Sequence, residues 1–78
     1  MNKETTQRLI NALHYIYDLS QELSSDTMYW GGMACYELGR AAAKCETGTE
    51  LREIHRIRDL IMKSDFRSAA DALSTYAS

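Results

Sequence analysis

Cys35 and Cys45 carry the strongest intrinsic chemistry in this sequence, and their spacing limits it. Both fall in the stretch Met28 to Cys45, which reads as one helix. Ten residues of helix rise ~15 Å, whereas a disulfide needs Cα atoms within about 7 Å. The two thiols cannot bond to each other within that helix. They cannot meet at one metal either, because zinc ligands gather round a point and usually come as close pairs. Cys35 is expected as a small core residue. Cys45, beside Lys44 near the helix end, is expected to be more accessible.

The other candidates for chemistry are dispersed. His14 and His55 lie on different expected helices, His14 one turn from Asp18 and His55 among Arg52, Arg56 and Asp59. A surface ion pair and a solvated face account for them. There is no Gly-x-Ser-x-Gly nucleophile turn. Gly31-Gly32 is not followed by the Lys-Ser/Thr of a phosphate-binding loop. The carboxylates are answered by neighbouring basic groups, so no pair has a reason for a shifted pKa. The expectation is a non-enzyme with no cofactor and no metal.

Two groups of residues point to surfaces instead. Met28, Tyr29 and Trp30 are consecutive, and on a helix they project about 100° apart. One core cannot take all three. Trp, Tyr and Met are enriched at interface centres. With Tyr15, an aromatic on the polar side of the first helix, they form the expected partner-binding set. Gly32, Cys35, Gly39 and Ala42, at spacings of three, four and three, share one helix face. A face without bulk lets another backbone approach, so this stripe is expected in close helix packing, either with another segment of the chain or with a second copy.

Arg52, Arg56 and Lys63 also share a face and are the candidate contacts for nucleic acid. A helix-turn-helix formed by the third and fourth helices would use them. Against this, from residue 50 onward five basic residues meet five acidic ones, and the chain's formal net charge is −2. Binding through phosphate contacts favours a basic balance.

These residues sit on an all-α framework. The chain has 78 residues, no proline and four glycines, which leaves little turn chemistry for a β-rich fold. Apolar residues at helical spacing place helices at about 3–23, 28–45, 50–63 and 65–76. The result is a single compact domain, 1–78, with three main helices and a short C-terminal one. In the first helix the apolar stripe is Leu9, Leu13, Ile16 and Leu23, widened by Ile10 and Tyr17. Asn2 or Thr5, one of Ser24, Ser25 and Asp26, and then Thr49 are the candidate N-caps. Gly48 is read as a turn residue, and Gly31-Gly32 leave open whether the second helix starts before or after them. A core this small rarely supplies more than about 3–5 kcal/mol, so a homodimer is expected. No apolar leader or membrane-length run is visible, which makes a cytoplasmic location with free thiols the default.

The segment from Tyr29 to Ala42, YWGGMACYELGRAA, resembles the first helix of tetratricopeptide repeats, with an aromatic, a Leu-Gly and small residues that pack on a partner helix. It spans less than one repeat and lacks the repeat period and the closing proline, so it implies nothing about function. The class left by these exclusions is a non-enzymatic protein–protein interaction module: a regulator, adaptor or inhibitor occupying a surface of a larger protein. Small bacterial and phage helical proteins commonly act this way. The alternative is a DNA-binding transcriptional regulator using the third helix.

Overall fold

Asn2 starts the first helix, its Oδ1 accepting the Thr5 N–H at 2.7 Å. In the computed structural model, which describes residues 1–77, α1 runs Lys3–Ser20. It ends three residues earlier than the periodicity predicts. Glu22 takes a left-handed backbone (φ 60°). The Leu23 N–H then donates to the Asp18 carbonyl at 2.8 Å, and the Glu22 N–H to Leu19 at 3.2 Å. This is the Schellman ending of a helix, with Glu where Gly is usual. Leu23 is therefore swung outward, 73% exposed, and Leu19 fills the core position instead. Tyr17, expected in the apolar stripe, is also exposed.

Asp26 caps α2 (Thr27–Lys44) by accepting the Tyr29 N–H. The helix passes through Gly31 and Gly32 without a break. The next cap differs from the expected one: it is Thr47, whose Oγ1 accepts the Glu50 N–H at 3.1 Å, and Gly48 is the first residue of α3 (Gly48–Met62). The spacing Thr47-x-x-Glu50 is that of a capping box. Glu50 in turn accepts the Glu46 N–H and lies 3.8 Å from the terminal ammonium of Met1. Ser64 repeats the left-handed ending (φ 62°). Asp65 then does two jobs: its N–H closes α3 onto Leu60, and its Oδ1 accepts the Ser68 N–H at the start of α4 (Phe66–Ala77).

Contacts along the helices fix the topology. Asn2 donates to the Lys44 carbonyl, Arg8 pairs with Glu37, and Tyr15 lies against Trp30. As one number rises the other falls, so α1 and α2 are antiparallel. The start of α2 meets the end of α3 at Gly31 and Ile61, and the far end of α4 returns to the start of α3, where Tyr76 feels Glu53 and Arg56. The molecule is a compact four-helix bundle in which α1 and α3 each pack against both α2 and α4. The helices have 18, 18, 15 and 12 residues. The shortest is a full wall of the bundle, since Ala69, Ala70 and Leu73 are buried in the core with Leu9, Ile16, Leu38, Ile54 and Ile57. No helix among the described residues is long and apolar enough to cross a membrane.

Candidate functional site

The inner face of α2 decides what its outer face has left to present. Its buried residues are Gly31, Ala34, Glu37, Leu38 and Ala41. A Cβ placed on Gly31 would sit 3.8 Å from both Ile61 and Phe66, which is ordinary contact. The stripe Gly32–Cys35–Gly39–Ala42 lies about one residue step, 100°, further round. Within the chain it is not the packing seam. Gly32 and Gly39 are exposed and have nothing within 4 Å of a would-be Cβ. Only Cys35 and Ala42 reach the edge of the core. The physical reason is Leu38, whose burial turns the helix so that its neighbours at helical spacing, and not the glycines, face inward.

Glu37 is the residue that periodicity alone does not single out. It is the one acidic side chain of α2 and is 6% exposed. Its carboxylate accepts from Arg8 Nη1 at 3.0 Å and from Asn11 Nδ2 at 3.3 Å. The hydrogen bond to Glu37 raises the Arg8 pKa further above its ordinary value. A lone carboxylate between Ala34, Leu38 and Ala41 was the available signal. It is bound on both sides by α1 and fixes helix register, leaving no free oxygen aimed at a substrate.

The expected partner-binding residues separate into two adjoining surfaces. Trp30 is half-buried and anchors the first. The Tyr15 ring lies 6.0 Å away across the α1–α2 contact, and the Tyr29 ring meets it edge-on at 4.8 Å. Tyr29 remains 54% exposed. Both arrangements are favourable aromatic geometries. Met28 points the other way. It is 89% exposed and borders a groove of about 470 Å³ between the start of α2, the end of α3 and the start of α4, with Gly32, Cys35, Met62 and Phe66 along it. Met62 is 71% exposed. One end of the bundle thus carries Leu23, Met28, Tyr29 and Met62 in the open.

Partial burial pushes the Cys35 thiol pKa up, against a smaller opposing effect of Arg58. A thiol held neutral is a poor nucleophile. Cys45, just past α2, lies 3.3 Å from the Ala42 carbonyl as a weak donor. On α3, Arg56 grips Glu53 through two hydrogen bonds, at 2.6 and 3.2 Å, and Arg52 donates to Thr49. Lys63 is exposed at the C-cap. Among the described residues no three His, Cys, Asp or Glu side chains gather where they could hold a metal ion. No protein-family model, curated protein or solved structure matches this chain.

Proposed function

We propose that this chain is a non-enzymatic protein–protein interaction module. It acts as a regulator, adaptor or inhibitor in the cytoplasm and occupies a surface of a larger protein with the end of the bundle around the start of α2. The observation that carries this reading is the exposure of Met28 and Tyr29, 89% and 54%, beside a core that is filled without them. Large flexible Met and amphipathic Tyr side chains suit a docking surface. Trp30, braced by Tyr15, gives that surface a rigid floor. The protein is read as a homodimer because a core of this size gains stability from a second copy.

The test separates Tyr29→Ala from Trp30→Ala. Tyr29→Ala should keep its melting temperature and lose capture of the partner from the native host. Trp30→Ala should lose melting temperature as well, since its ring is packed on two others and on the core. Full capture by a folded Tyr29→Ala protein would move the binding surface elsewhere, with the Arg52–Arg56–Lys63 face the next candidate.

A further inference from the structure

Residues 9–39 contain no Lys or Arg, and their carboxylates are Asp18, Glu22, Asp26 and Glu37. Glu37 is paired with Arg8. Glu22 lines a hollow with Arg67, between the end of α1 and the start of α4. Asp18 and Asp26 are exposed and enter no ion pair among the described residues. Both stand beside the aromatic cluster. Asp18 follows Tyr15 by three residues, on the same face of α1. Asp26 reaches over the first turn of α2, where its Oδ1 accepts the Tyr29 N–H at 3.2 Å.

Asp18 also works against its own helix. It lies in the last turn of α1, where the carbonyl dipoles concentrate negative charge and a cation is favoured. That turn holds no basic residue. His14, one turn earlier, forms no ion pair with Asp18. The rings beside it are equally unmatched. Tyr36, the other exposed tyrosine of α2, carries Arg40 at 6.0 Å from its ring centroid. Among the described residues no Lys or Arg lies over the Tyr29 or Trp30 ring.

We propose that this end of the bundle takes an arginine-bearing segment of the larger protein, its guanidinium against the Tyr29 and Trp30 rings and near Asp18 and Asp26. This rests on the docking surface proposed above and names the chemistry of its partner. Aromatic faces attract cations, and the planar guanidinium stacks on them where an ammonium does not. Carboxylates at the rim accept its N–H groups in strong, charge-assisted hydrogen bonds. Tyr29, 54% exposed, and the half-buried Trp30 leave ring surface open to it. Charge of one sign around an apolar centre also steers a basic partner in and turns an acidic one away.

Trp30 is the chain's only tryptophan, so its fluorescence reads this site. The probe is a short peptide of alternating Arg and Gly. Its control carries citrulline for Arg, which keeps the shape and lacks the charge. Added to the intact chain up to about 1 mM, the Arg peptide should change the Trp30 emission saturably, and the citrulline peptide should not. Asp18→Asn combined with Asp26→Asn should raise the dissociation constant at least about tenfold. Asn matches Asp in shape and still caps a helix. Removing the charge from the end of α1 should leave Tm equal or higher. Asp71→Asn combined with Glu46→Gln makes the same change in net charge at exposed sites away from the rings, and should bind as the wild type does. No response to the Arg peptide, an equal response to the citrulline peptide, or equal weakening by the two double variants overturns the cation site. Capture of the native partner separates this from the docking surface itself. A partner lost by Tyr29→Ala but held by Asp18→Asn with Asp26→Asn overturns the cation site alone. A partner held by both overturns the docking surface as well.

Discussion

Among the described residues, Glu22 and Ser64 are the two held in left-handed backbone, with φ of 60° and 62°, and neither has the freedom of glycine there. For an L-residue this conformation costs roughly 1–2 kcal/mol. Glycine removes that cost but enlarges the unfolded ensemble, which returns about 0.4–1 kcal/mol. Ser64→Gly and Glu22→Gly should each therefore stabilise the fold, by about 0.5–1 kcal/mol. That corresponds to a few degrees in Tm for a domain of this size. Thermal melting of each single variant checks it, and a fall in Tm would mean that the Glu22 or Ser64 side chain contributes more than its backbone costs. These positions also explain why α1 was read too long from the sequence. Helix ends are legible where Gly or Asn marks them. Here nothing in Gln21-Glu22-Leu23 does, so Leu23 looked like one more apolar position on a continuing helix.

At the scale of elements, the four helices and their order were legible because the apolar spacing is regular and the breaks at Ser24–Thr27, Glu46–Thr49 and Ser64–Asp65 carry capping residues. The start of α3 was misplaced by two residues because Thr47 and Thr49 are both competent caps. Glu50, three residues after Thr47, completes a capping box there, whereas Thr49 has Arg52 at the same distance. The choice of inner face on α2 was less legible. Glycine, alanine and cysteine spread over more than half of the helix surface, so the small stripe with the most even spacing looked like the seam. The large apolar side chain of Leu38 determined it instead. On α3 the sequence shows basic residues but not their partners. Arg56 is bound by Glu53, which also raises its pKa, so the face offers less free charge than its composition implies. Titration with a nonspecific DNA duplex at low salt should show no tight binding. Tight binding with a steep salt dependence would instead support the DNA-binding alternative.

For the whole molecule, the distribution of bulk separates the core from the exposed end. The buried side chains close the bundle, and most of the exposed large ones collect at the end where α1 and α3 finish and α2 and α4 begin. Leu23, Met28, Tyr29 and Met62 are there, while Glu37, Arg8 and Asn11 lock α1 to α2 further along. That Met28, Tyr29 and Trp30 could not all turn inward was legible from their consecutive positions. Their division between an aromatic cluster and a groove was not, because the groove depends on Met62 and Phe66, brought there only by the fold.

Docking of this end of the bundle on another protein is tested most directly by site-specific photocrosslinking in the native host. A photoreactive phenylalanine analogue at position 29 replaces one exposed aromatic with another and should leave the fold intact. The same group at position 7, an exposed residue of α1, is the control. The prediction is a discrete adduct with a larger protein from position 29 and none from position 7. Adducts of equal yield from both positions, or from neither while position 56 gives one, would contradict it.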